Sequence, residues 1–152
     1  MDLQKYETTV GSCDRMNFTF TSIGPKGRIE KVVQFGQTGN PDIFNLVLGN
    51  LLEHGKIDDR TTSDNKDSRA ILATVEASIY EFTQYYPDRS VFYKGSTMER
   101  TRYYRMALTK HFEELNKDFE IFGVLAQGIG FFSEHFVAGK EYFGFLLKRK
   151  KC

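Results

Sequence analysis

Side chains able to do chemistry are concentrated between Lys94 and Lys110. Lys94, Arg100, Arg102, Arg105 and Lys110 are basic there, and Glu99 is the one acid. Gly95-Ser96-Thr97 sits where an apolar run, Val91-Phe92-Tyr93, gives way to a helical pattern. The start of a helix carries backbone N–H groups without intrahelical partners and a partial positive charge, which suits a phosphate or carboxylate. Glycine at such a junction lets the backbone approach closely, and arginine one turn on can fork onto phosphate oxygens. Lys94, Gly95, Ser96, Thr97, Arg100, Arg102 and Arg105 are therefore candidate anion-binding residues.

Helical geometry divides this set. At 100° per residue Arg100 and Arg105 fall on opposite rims of the apolar stripe, and Arg102 points away from the core, so the three cannot converge on one small anion. Arg100 is best placed to join Ser96 and Thr97. Ser96-x-x-Glu99 also fits a capping box, in which Ser96 accepts from the N–H of residue 99 and Glu99 reaches back to residue 96. That accounts for the junction without a ligand, so both readings stand. The spacing is not that of a P-loop.

Other clusters carry less. Asp58-Asp59 and Asp64-Asn65-Lys66-Asp67 lack the spacing and glycine of a calcium loop, and Asp67 or Ser68 reads better as a helix N-cap. His54, His111 and His135 form no metal or protease motif. No metal and no cofactor are expected. Cys13 and Cys152, near opposite ends of the chain, suggest neither a zinc knuckle nor a redox pair. Arg102-Tyr103-Tyr104-Arg105 mixes basic and aromatic residues as base-stacking surfaces do, but Tyr104 lies on the core stripe. Phe131, Phe132 and Phe136 fall in a connection, where they form a contact surface, flap over the sheet or close the core.

The elements that must position these groups follow from periodicity. Met16–Thr21 alternates apolar and polar residues as a half-buried strand does, Gly24-Pro25-Lys26-Gly27 fits a type I turn, and strands follow at about 28–35 and 43–48. An edge strand is expected loosely around Tyr6–Val10. From residue 67 to 86 the period becomes helical, with Ile71, Leu72, Val75, Ile79, Phe82 and Tyr86 on one stripe and Pro87 as the stop. Val91–Tyr93 is a short buried strand, and a second helix spans about 97–116 through Thr101, Tyr104, Leu108, Phe112 and Leu115. Phe119–Leu125 and Tyr142–Leu147 are the last strands, and the tail Lys148–Lys151 is expected to be solvated. The order β-β-β-α-β-α-β-β indicates a single α+β domain over residues 1–152, with two helices packed on a mainly antiparallel sheet.

The 152 residues suffice for one core without disulfide or metal. With 14 Phe, 8 Tyr and no Trp, that core is phenylalanine-rich. A net charge of +1 excludes the polyelectrolyte surface that drives bulk nucleic-acid or membrane binding, so an anionic partner must meet a local patch. No apolar run has the ~18 residues of a membrane span, and the first residues lack a signal-peptide pattern. A cytoplasmic protein without membrane contact is expected.

The run Gly95-Ser96-Thr97-Met98-Glu99-Arg100-Thr101-Arg102-Tyr103-Tyr104-Arg105-Met106 resembles the hallmark of a family of short, uncharacterised bacterial proteins. The similarity extends to Lys31-Val32-Val33, Ala73-Thr74-Val75 and Asp118-Phe119-Glu120-Ile121-Phe122-Gly123, and so to nearly the whole chain. It implies a small bacterial cytosolic protein and brings no established activity, cofactor or catalytic residue.

The first functional expectation is a non-enzymatic binding domain that recognises an anionic group, a nucleotide or nucleic-acid phosphate, near residues 94–105. The alternative is a protein-interaction module, one half of a bacterial two-protein regulatory pair, using a strand edge or the Phe131–Phe136 segment. A phosphoryl-transfer or RNA-cleaving enzyme ranks third. It needs a base near Arg100, and His111 lies about 16 Å along the helix from there.

Overall fold

A computed structural model describes residues 5–11, 13–58 and 65–151. The fold is α+β, with mainly antiparallel strands and, among the described residues, three α-helices. The chain forms two compact units, one made of Asp2–Gly36 with Leu46–Tyr86 and the other chiefly of Gln37–Asn45 with Pro87–Cys152.

In the first unit, β1 (Thr9–Val10), β2 (Asn17–Gly24), β3 (Gly27–Gln37, to Gly36) and β4 (Ile43–Leu51, from Leu46) follow in order, and β5 (Ile57–Asp58) pairs with β4. Phe18 opposite Val33 and Phe20 opposite Lys31 fix the β2–β3 register. Helix α1 (Ser68–Tyr85) covers this face, and Phe82 stacks on Phe35 with ring centroids 4.1 Å apart. The expected hairpin turn forms, with Gly24 opposite Gly27. The expected edge strand shortens to Thr9–Val10, because the N–H of Tyr6 donates to Thr74 Oγ1 of α1 instead of a strand.

Asp67 occupies the N-cap position of α1, but its side chain does not cap. Its Oδ2 accepts from the hydroxyls of Tyr6 and Ser22, each at 2.5 Å. Asn65, 2% exposed, donates to Ser22 Oγ and to the carbonyl of Gly27, and accepts from the N–H of Lys26. This network ties the β2–β3 turn to the start of α1, so the carboxylate expected to cap a helix serves tertiary structure instead. Asp59 and Asp64 lie outside the described residues. Glu76 of α1 is buried, and loss of hydration pushes its carboxyl up to about 8, which keeps it protonated at neutral pH.

In the second unit the strand order is β6 (Ser90–Tyr93), β9 (Gly144–Arg149), β7 (Phe119–Gln127), β8 (Gly130–His135). Both β6 and β7 run antiparallel to β9, hence parallel to each other, and the chain crosses between them through α2 (Met98–Lys110) and α3 (Phe112–Asp118). The helix expected to run to about 116 is thus two helices, and the described residues hold three α-helices rather than two. The break falls at His111, beyond which Phe112 stacks on Phe136 and Leu115 re-enters the core. Tyr93, Tyr104, Leu108, Phe119, Phe145 and Leu147 form that core, with Tyr104 set edge-on to Tyr93.

Two further expectations change here. The connection holding Phe131 and Phe132 is the strand β8. The basic tail is partly structural: β9 runs to Arg149, whose guanidinium lies over the Phe119 ring, and the N–H of Lys150 donates to the carbonyl of Asp118.

Candidate functional site

The junction between β6 and α2 is closed by its own groups. The N-cap of α2 is Thr97, whose hydroxyl accepts from the N–H of Arg100 at 3.2 Å, not Ser96 as the capping box would have it. Helix α2 starts one residue later than that motif requires. Ser96 Oγ instead accepts from Arg100 Nη1 at 2.8 Å, and Glu99 Oε1 accepts from the Tyr103 hydroxyl. Thr101 locks the other side: its hydroxyl accepts from the N–H of Gly95 and donates to the carbonyl of Thr97.

Gly95 is buried against the helix itself. A Cβ there would come within 2.4 Å of both Arg100 Cβ and the Thr101 nitrogen, so close approach is required by the chain's own packing. The structure brings Ser96, Thr97 and Arg100 together, as helical geometry suggested. Lys94 departs from them, its ammonium 5.1 Å from the centre of the Phe143 ring. Arg102 is exposed, and Arg105 is half-buried three residues further along α2. Burial pushes the phenol of Tyr104 up to about 12, so it stays protonated and serves packing.

A second region stands out by what it leaves open. Strand β8 closes one end of the sheet order, and among the described residues no strand pairs with its outer side. Phe131 is 64% and Phe132 46% exposed, and Ile129 in the preceding turn is fully exposed. Adjacent strand residues point to opposite faces, so both faces of this edge are apolar and in water. Phe131 touches Phe143, which in turn packs near Phe92, while His135 stacks on Phe122.

The backbone of the edge is equally open. The β7–β8 register places Gly123 opposite Glu134 and Leu125 opposite Phe132, and the N–H of Phe136 donates to the carbonyl of Ile121. Hydrogen-bonded and non-bonded pairs alternate in an antiparallel ladder. Glu134 and Phe132 therefore bond to β7, and Phe131, Ser133 and His135 turn their N–H and C=O groups outward. Edges of this kind are normally blunted by lysine, proline or a bulge. This strand has no lysine and no proline.

Its single carboxylate is already compensated. Glu134 Oε2 accepts from Lys140 Nζ at 2.8 Å and from the Tyr142 hydroxyl at 2.7 Å. The Lys140 hydrogen bond, followed by that of Tyr142, holds the Glu134 carboxyl below its ordinary value, and the same contact raises Lys140. Tyr142 lies flat on Gly123, where a Cβ would meet its ring at 2.3 Å, and its hydroxyl also accepts from the N–H of Val137. The chain leaving β8 is thereby pinned and the edge is held extended.

The sequence matches the model of a family of unknown function, DUF6934, over residues 2–150. The chain belongs to this family. Neither a search of curated proteins nor one of solved structures found a match for this DUF6934 protein. Its site must therefore be read from its own geometry. Among the described residues no helix is long and apolar enough to cross a membrane, and no cluster of three or more His, Cys, Asp or Glu is placed to hold a metal ion. His111 sits at the break between α2 and α3, at the end of α2 away from Arg100.

Proposed function

We propose that the protein is an interaction module that receives an extended polypeptide segment along the outer edge of β8. The observation that carries this reading is the edge itself: outward N–H and C=O groups at Phe131, Ser133 and His135, flanked on both faces by exposed phenylalanine. Strand addition obtains affinity from main-chain hydrogen bonds and selectivity from side chains on alternate faces, and β8 presents both. Synthetic peptides alternating apolar and polar residues test it by NMR. The expected outcome is shifts at the Phe131, Ser133 and His135 amides and none at Met98–Arg100. Shifts at neither place, at millimolar peptide, would overturn it.

The anion reading retains one favourable observation: Ser96, Thr97 and the Arg100 guanidinium meet at the exposed start of α2, with Arg102 close by in sequence. A phosphate there takes over the Arg100–Ser96 contact. If it binds, inorganic phosphate raises the melting temperature of the wild type more than that of Arg100→Ala, by mass action on the folded state. Equal responses remove Arg100 from any such site.

A further inference from the structure

The edge of β8 carries a more specific message, which rests on the interaction reading above. We infer that its occupant is the β8 strand of a second copy of this chain, paired antiparallel about a two-fold axis at Ser133.

The outward-facing residues set the register. An antiparallel pair centred on Ser133 puts Ser133 opposite Ser133 of the second copy, and Phe131 opposite His135. These are the three residues whose backbone groups face outward, so every outward donor in the strand meets an outward acceptor. Ile129 falls opposite Val137 when the same register is continued past the strand ends. Ile129 is fully exposed and Val137 is 52% exposed. The row Ile129, Phe131, Ser133, His135, Val137 is therefore its own complement read backwards: apolar meets apolar, ring meets ring, and the smallest side chain sits on the axis. His135 already stacks on Phe122 at 5.0 Å, so Phe131 of the second copy extends an existing aromatic stack. An unrelated strand has no reason to match this order, whereas an isologous contact requires it.

Charge and area agree. The row holds no lysine, arginine or carboxylate, so two copies meet without like-charge repulsion at the axis. On the other face Phe132 falls opposite Glu134, whose carboxylate is neutralised within its own chain by Lys140. From their exposed fractions, Ile129, Phe131 and Phe132 offer on the order of 400 Å² of apolar side chain per copy, taking about 200 Å² for a phenylalanine. With strand backbone, Ser133 and His135 added, two copies bury about 1,000 Å², the lower bound for a specific interface. A concentration-dependent dimer follows, not an obligate one.

Sedimentation of the full chain over a concentration series, with amide hydrogen exchange, tests the pairing. The expected result is a mass that doubles as concentration rises, while Phe131, Ser133 and His135 amides gain protection and those of Phe132 and Glu134, bonded to β7, stay protected throughout. Ser133→Pro removes an outward N–H that β7 does not use, a position where an edge strand tolerates proline. It should leave circular dichroism and melting nearly unchanged and weaken self-association by roughly thirtyfold or more, since both hydrogen bonds at the axis are lost. Phe131→Lys, which leaves the backbone intact, should do the same and decides the matter if the proline variant fails to fold. A wild type that stays monomeric at millimolar concentration overturns the inference, as does a dimer indifferent to a folded variant. If that monomer still binds extended peptides along β8, self-pairing alone is wrong; if it binds none, the interaction reading falls with it.

Discussion

The start of α2 and the outer edge of β8 belong to the same unit and differ in what they leave unfinished. The first is dense with cations, hydroxyls and a junction glycine, yet its groups largely answer one another: Thr97 caps Arg100, Ser96 accepts from Arg100, and Thr101 holds Gly95. The second is chemically plain, with two phenylalanines, a serine and a compensated glutamate, and it exposes backbone hydrogen-bonding groups beside apolar rings. Reactive residue types mark a place worth inspecting, but capacity for a partner lies where hydrogen-bonding valence and apolar area remain after the fold has used what it needs.

The largest expected effect tests whether the α2 junction is built by internal packing. Gly95→Ala puts a Cβ 2.4 Å from helix backbone and from Arg100 Cβ, contacts that neither side can relieve by rotating a side chain. Urea denaturation should show a loss of about 2–4 kcal/mol. A loss below about 0.5 kcal/mol would mean that the junction opens freely, and the contrast with β8 would collapse.

Capping is the next test and the finer one. Thr97→Ala should cost about 1 kcal/mol, within the usual 0.5–2 for a cap hydroxyl. Ser96→Ala should stay within about 0.5 kcal/mol, because it removes only an exposed contact with Arg100. The reverse order of effects would restore the capping box at Ser96 and Glu99.

Much of this was legible in the sequence, and the reasons for the remainder are physical. Strands β2 and β3, helix α1 and the buried strand β6 follow from period and turn residues, since alternating or helical apolar patterns are what a half-buried element requires. The meeting of Arg100 with Ser96 also followed from helical geometry. Strand β8 did not, because an edge strand with both faces in water shows no apolar-polar alternation, and Phe131-Phe132 mimics a core-closing loop. The Thr97 cap was missed because Ser96-x-x-Glu99 satisfies the motif one residue early. The role of Asp67 depends on Tyr6 and Ser22, far away in sequence, and no local pattern reports such a contact. The break at His111 interrupts a continuous apolar stripe without glycine or proline to announce it.

The smallest effect concerns the charge that keeps β8 neutral. Glu134 titrates below its ordinary value because Lys140, then Tyr142, hydrogen-bonds its charged form. A carboxylate depressed in the folded state adds stability that is fully present above its unfolded value, about 4.3, and is lost as pH falls through the lower folded value. Lys140, raised by the same contact, adds stability that is present below its unfolded value and lost as pH rises through the higher folded one. The contact thus operates from the weakly acidic to the alkaline range and fails first in acid. Because the pair is exposed, the effect on unfolding should be slight and should fade with added salt. Glu134→Gln should flatten the acid limb of a stability profile by slightly lowering stability near neutrality, where the contact operates, and leaving it unchanged in acid. Self-association should respond in the same direction: below the lowered value of Glu134, each copy brings an uncompensated Lys140 toward the axis, and sedimentation should show weaker pairing in the wild type. In Glu134→Gln that cation is uncompensated at every pH below the Lys140 value, so its pairing should be weaker than wild type near neutrality and insensitive to acid in this range. An acid dependence that survives in Glu134→Gln would place the responsible group elsewhere and leave the neutrality of the β8 edge unexplained by Lys140.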